Sequence, residues 1–187
     1  MDMANLGRTV GCALFVLASL SAGAQQARYT SETEAGIMWT PANLVKPVVF
    51  TLQTYHAAQL TDYFSIGASA GYDEYFDFSV LPVGLGARAM LPGRKGSWYA
   101  GMAVGYGLMW LEKSTPASWY DGGTFFNPSI GRRWKPKGKK YDRYLLNIGY
   151  KQQVLSRNTA NPAFGPGAHN TDKFTLKRMS VRFGLVF

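Results

Sequence analysis

Cysteine, histidine, acidic side chains and long apolar runs are all scarce in this sequence. Cys12 is the single cysteine, His56 and His169 are the two histidines, and 11 acidic residues stand against 20 basic ones. Nothing approaches the roughly 18 to 20 consecutive apolar residues that a membrane-crossing helix needs, which excludes a helical anchor. No metal-ligand cluster, phosphate-cradling glycine loop or nucleophile elbow occurs, so no catalytic residue, metal or cofactor is expected. A net charge of +9 and a pI of 9.7 would suit nucleic acid, but no recognition module is present and a secreted chain would not meet it.

What is present begins with a leader. MDMANLGRTVGCALFVLASLSAGA has one positive charge at Arg8, an apolar run from Val10 to Leu20 and small residues at Ala22 and Ala24. This is the pattern of a secretory signal over residues 1–24, cut after Ala24, with one domain following over 25–187. Cys12 precedes most of the apolar run, whereas a lipid-modified cysteine would stand at the cleavage position after it. The processed chain is therefore expected to contain no thiol and no disulfide.

The rest alternates. The last stretch, KFTLKRMSVRFGLVF, sets Met179, Val181, Phe183, Leu185 and Phe187 on one face against Arg178, Ser180, Arg182 and Gly184 on the other, the period of a strand. Seven earlier segments repeat the pattern between turns. Glu34, Gly36 and Met38 oppose Ala35, Ile37 and Trp39; Thr51, Gln53 and Tyr55 oppose Phe50 and Leu52; Ser65, Gly67, Ser69, Gly71 and Asp73 oppose Phe64, Ile66, Ala68, Ala70 and Tyr72. In LPVGLGARAML, Gly84, Gly86 and Arg88 oppose Val83, Leu85, Ala87 and Ala89, and Pro82, unable to donate a ladder hydrogen bond, is expected at a bulge or irregular rim. WYAGMAVGYGLMWL, TFFNPSIGRRW and YLLNIGYKQQV complete the set, with Arg133, Asn147, Lys151 and Gln153 on polar faces. Glycine every few residues is unfavourable in a helix, but on the inside of a narrow barrel it leaves room for large side chains opposite.

The polarity of the faces selects the solvent. A soluble carrier barrel of lipocalin type lines its inside with apolar groups and wets its outside; here charges and glycines share one face and apolar groups fill the other. The reading is an all-β, eight-stranded antiparallel up-and-down transmembrane β-barrel. Trp98 and Trp110 lie twelve residues apart; at ~3.3 Å per residue and a tilt of ~40° that is ~30 Å along the membrane normal, close to the ~25 Å apolar band that aromatic girdles flank. Trp39, Trp98, Trp110, Trp134 and Tyr144 are the expected girdle. The links between the second and third, fourth and fifth, and sixth and seventh segments read as short. Lys113 to Gly123 and Arg157 to Asp172 read as long outer loops, which places both termini in the periplasm.

With these segments in place, YFSIGASAGYDEY, LPVGLGARAML, FFNPSIGRRW, LLNIGYKQQ and the terminal VRFGLVF resemble small outer-membrane β-barrel proteins of Gram-negative bacteria, the eight-stranded OmpA/OmpX-like architecture. The resemblance covers the mature chain and implies fold and outer-membrane location; it brings no catalytic residues. It also implies that the C-terminal strand (Met179, Val181, Phe183, Leu185, Phe187) serves as the signal read by the barrel-assembly machinery. Relatives that tether the envelope append a peptidoglycan-binding domain after the eighth strand, so with the sequence ending at Phe187 no tethering role is expected.

The expected sites follow. Glu34, Asp73, Arg88, Arg133, Lys151, Arg178 and Arg182 form an inward charge network that holds a side-chain-filled lumen together; the competing use of five basic groups against two acidic ones is a narrow anion-preferring path. A lipid-modifying enzyme, an acyltransferase or deacylase of lipid A, would need a histidine beside a serine and a carboxylate. His56 has no serine close in sequence and His169 sits in a polar loop. The basic turn Lys135, Lys137, Lys139, Lys140 and Arg143 is a solvated turn or a contact with anionic headgroups. Trp119, Tyr120 and Phe164 are candidate outer-loop contacts for a surface ligand or protein. Expected partners are thus outer-membrane lipids, the assembly machinery and a surface ligand, and the expected role is structural or interactional.

Overall fold

Nine strands form in the computed structural model, which describes residues 28–40, 48–75, 78–91, 97–110, 117–134, 143–161, 163, 165 and 168–187. They are β1 (Arg28–Trp39), β2 (Val48–Thr61), β3 (Phe64–Glu74), β4 (Ser79–Leu91), β5 (Ser97–Trp110), β6 (Ser118–Asp121), β7 (Gly123–Trp134), β8 (Arg143–Ala160) and β9 (His169–Val186). Each neighbouring pair is antiparallel, and the sheet closes where Glu32 to Trp39 of β1 face Val186 to Met179 of β9. The Phe187 N–H donates to the Ser31 carbonyl at 2.8 Å and the Ser31 N–H returns to Phe187 at 3.3 Å. The leader, Cys12, the basic residues of 135–142 and Phe164 lie outside the described residues, as does the side chain of Arg143.

Nine strands occupy eight positions around the barrel because β6 and β7 follow one another along β8. Asp121 faces Ser156 while Phe125 faces Gln153; four steps on one side match three on the other, so one extra residue is absorbed at Gly122 and Gly123, as in a β-bulge. Gln153 Nε2 donates to the Gly123 carbonyl at 2.8 Å and Tyr106 Oη to the Gly122 carbonyl at 2.8 Å, which satisfies backbone acceptors that the ladder misses.

Both ends of the described chain, the two-residue turn Asp62–Tyr63 and the joins of β4 to β5 and β7 to β8 share one end of the barrel, here the terminal end. The far end holds the other four connections. Three expectations change. Half of Arg157 to Asp172 is strand, because β8 and β9 pair out to Ala160 and His169; polar residues with strong turn propensity hid eight residues of ladder. Ser118–Asp121 is strand too, its period-two signal being too short to see. At Pro82 the register does not shift: pairs before and after it keep step on both sides, and only the ladder to β3 is interrupted, as a missing N–H dictates. The register shift lies instead between Gln59 and Thr61.

Face polarity is sharp through the barrel wall. Ile37, Phe50, Ile66, Leu85, Val104 and Ile148 point outward and are exposed, Leu85 at 64%. The inward face holds the buried charged residues, the glycines of the wall and the rings of Tyr55, Tyr99 and Phe125. A Cβ on Gly131 would collide with the ring of Tyr99, its partner on the adjacent strand, and one on Gly86 would stand 2.9 Å from Tyr55 Cε2, from two strands away; small inward residues make room for tyrosines from nearby strands. Toward the far end the filling turns apolar, with Met38, Val49, Tyr75, Val80 and Leu155 packed against Phe78, Met109, Phe174 and Leu176. We expect Gly131→Leu to destabilise the barrel by ~1 to 3 kcal/mol through overpacking against Tyr99. A urea titration of the folded protein checks this, and an unchanged midpoint would refute the packing of Tyr99 over Gly131.

Candidate functional site

The lumen concentrates the ionisable groups because inward positions on β1, β3, β4, β7, β8 and β9 all carry them at matching heights. Glu34, Asp73, Arg88, Arg133, Lys151, Arg178 and Arg182 are all buried there, between 1% and 8% exposed. A further acid, Glu32, is fully buried among them. Sequence reasoning passed over it, although it lies two residues before Glu34 and so on the same face.

The charges assemble in two tiers. Near the terminal end, Glu32 is ion-paired with both Arg88 and Arg133, Arg88 reaches Glu34 at 2.6 Å, and Arg182 reaches the same carboxylate at 3.2 Å. Above them Lys151 pairs with Asp73, which also accepts from Thr51 Oγ1 at 2.7 Å. Five bases thus meet three acids, and aromatic faces take up the imbalance. Arg88 lies 4.4 Å from the Tyr55 ring centre and 4.9 Å from that of Tyr99; Arg133 lies 5.3 Å from Tyr99, Lys151 4.9 Å from Phe125 and Arg178 5.1 Å from Tyr75. Asn147 Nδ2 donates to Tyr99 Oη at 3.0 Å. The cavity among Gln53, Tyr55, Arg88, Asn127, Asn147 and Arg182 is about 10 Å³, barely the space of one water.

Trp119 and Tyr120, expected on a loop, belong to β6. Tyr120 packs on Phe78 at 5.0 Å and Phe174 at 6.3 Å, with Arg157 5.9 Å from its ring, and Trp119 lies 5.5 Å from His169. Tyr120 continues the apolar filling at the far end, whereas Trp119, one residue before it on the strand, stands on the opposite face with His169. His169 opens β9 instead of standing in a loop.

His56 is on the outer face near the terminal end, hydrogen-bonded through Nδ1 to Tyr29 Oη and through Nε2 to Thr54 Oγ1 at 3.0 Å. The Thr54 partner was legible, being two residues away on the same face, but only serine was sought. The Thr54 hydroxyl donates to the Glu32 carbonyl at 3.1 Å, so its one proton is used and the imidazole donates to it. A nucleophile needs the reverse direction.

The aromatic residues sort by end. Trp98, Trp134 and Tyr144 face outward at the terminal end, where Trp134, Tyr144 and Phe183 lie 5.7 to 6.2 Å apart. Trp39 and Trp110 are the last residues of β1 and β5 at the far end. Met179, Val181, Phe183, Leu185 and Phe187 form the outward stripe of the closing strand. Among the described residues no group of histidine, cysteine and carboxylate side chains could hold a metal.

A closed eight-stranded barrel with charge inside and apolar groups outside has the architecture of small membrane-spanning barrels. A solved structure shares it: the solid-state NMR structure of the outer membrane protein AlkL in DMPC lipid bilayers, with a TM-score of 0.56 and 12% identity, over 87% of this chain and 90% of that one. That likeness establishes the fold. No protein-family model matches the chain, and no curated protein matches it in sequence.

Breaking the upper pair from one side should cost more than removing it. Asp73→Ala leaves Lys151 buried beside no carboxylate and should lower stability by ~3 to 5 kcal/mol, while Asp73→Ala with Lys151→Met should recover most of it. Urea midpoints of the three proteins decide; a double variant no better than the single one would show that the pair is not what Lys151 depends on.

Proposed function

We propose that the protein is an integral outer-membrane β-barrel, resembling the OmpA/OmpX-like barrels, with a structural or surface-interaction role and a closed lumen that does not conduct. The observation that carries this is the inversion of polarity: eight ionisable side chains are buried in cross-lumen pairs and against rings, while the outward wall is apolar. The two-residue turn at the terminal end supports a periplasmic location of both termini. Among the described residues, two ion-paired tiers and an apolar filling at the far end occupy the lumen, which counts against the anion-channel alternative. The use of the Thr54 proton counts against the lipid-modifying alternative.

Fractionation of envelopes, with unheated and boiled samples compared on a gel, tests the container. The protein should follow the outer membrane and migrate faster unheated; a soluble protein without a heat shift would overturn the reading. Conductance across a planar bilayer tests the closed lumen, and steady single-channel currents would contradict it.

Lipid-facing positions should respond by depth. Leu85→Arg, midway along β4 and paired with Val104, should reduce folding stability in vesicles by ~2 to 4 kcal/mol. Phe183→Arg, in the aromatic cluster near the terminal end, should cost only ~0 to 1 kcal/mol, the value for an interfacial position. Equal costs would contradict the depth assignment. Deleting Phe187, which completes the β1–β9 seam and stands as the last residue of the proposed assembly signal, should lower outer-membrane yield while secretion persists. An undiminished yield would remove that role.

A further inference from the structure

Each base of the lumen described above has a carboxylate or a ring beside it. Two bases on the outside of β9 have neither. Lys173 and Lys177 are exposed, and among the described residues neither takes part in an ion pair, a side-chain hydrogen bond or a ring contact. Both share the outward parity of Met179, Val181 and Phe183. Their level on the wall follows from the register. Trp39 of β1 and Tyr150 of β8 both oppose Met179, so the apolar stripe of β9 ends in a row flanked by two aromatic residues, the far-end girdle. Lys177 is the next outward residue, opposite Gln152; Thr175 follows, and then Lys173, opposite Ser156.

The two depths select an occupant. At ~3.3 Å per residue and a tilt of ~40°, Lys177 stands ~5 Å and Lys173 ~15 Å beyond the girdle row along the membrane normal. The headgroup layer of a phospholipid bilayer is only ~5 to 8 Å thick on each side. The phosphate of an ordinary glycerophospholipid therefore meets Lys177 and stops short of Lys173, which needs an anionic group carried further out. Among the described outward residues of β6, β8 and β9 the one acid is Asp121. It lies in the row of Lys173 but two strands away, ~10 Å at ~4.8 Å per strand, and accepts from Asn158 Nδ2. An ammonium is a point charge with three donors and no acceptor, which suits phosphate oxygens at either level. We infer that Lys177 and Lys173 form a binding site for a lipid whose headgroup carries phosphates at two depths, in the leaflet that meets the far end. This rests on the membrane reading above and adds a selectivity which that reading does not require.

The test uses the full protein folded into phosphatidylcholine vesicles containing a minority of lipid brominated on one acyl chain, with tryptophan quenching as the readout. The brominated lipid is either phosphatidylinositol, whose one phosphate lies at the ester layer, or phosphatidylinositol bisphosphate, which carries two more on the outer side of the ring. The bisphosphate should associate about fivefold more strongly, the ratio that ~1 kcal/mol for one further basic residue corresponds to. Lys173→Gln should remove most of that difference and leave phosphatidylinositol association unchanged, whereas Lys177→Gln should weaken association of both lipids. Arg28→Gln, at the terminal end, should leave the preference intact. A heat-shift gel confirms that each variant is folded. Equal quenching by the two lipids in the wild-type protein would overturn the site while leaving the membrane barrel standing, and that comparison decides even if a variant fails to fold. A preference that is undiminished in folded Lys173→Gln would also overturn it. Failure of the wild-type protein to insert into either vesicle would bring down both readings.

Discussion

The ladder between β1 and β9 is the contact on which everything else depends. A sheet left open would present two rows of unsatisfied N–H and C=O groups, which in hydrocarbon cost several kcal/mol each and in water invite pairing with another chain. Closure removes both rows through eight opposed residue pairs and the Ser31–Phe187 bonds. It also creates an inside. Once the wall is a tube, each strand has one face turned toward seven other strands and one turned away from all of them, and the alternation in the sequence acquires its meaning.

What fills the inside follows from width. Eight strands leave space for side chains and little more, so every large inward residue must find a small one across from it: Tyr99 above Gly131, Tyr55 beside Gly86. The charges obey the same economy of space. Removed from water they are tolerable only when paired and hydrogen-bonded, and the lumen provides carboxylates for some of the bases and ring faces for the rest. The far end needs no such arrangement because its filling is apolar, and there the rings of Tyr75, Phe78, Tyr120 and Phe174 pack on one another.

Period-two alternation made the barrel legible before any coordinates. It gave the strand faces, and with them the inward placement of Glu34, Arg88 and Lys151, because a single parity governs a whole strand. Its failures have physical causes. Strands that run past the apolar band lose the contrast between faces, so β8 and β9 looked shorter than they are. A four-residue strand such as β6 offers two alternations, too few to distinguish from a loop. Glu32 was missed at a segment boundary, although the parity of β1 already put it on the face of Glu34. Pairings across the lumen were not legible at all: which base meets which acid depends on the stagger between strands, and alternation carries no information about stagger.

The Lys151–Asp73 pair spans the tube from β8 to β3, four positions apart in a ring of eight, and thus along a diameter. Arg133 and Arg88, from β7 and β4, meet β1 from its two sides at Glu32. Backbone hydrogen bonds behave like hoops: they resist stretching of the circumference but offer little resistance to flattening into an ellipse. Internal struts supply that missing stiffness. A tube braced in this way keeps a round cross-section under lateral pressure from its surroundings, and its outline should change little when the bilayer around it thickens or thins.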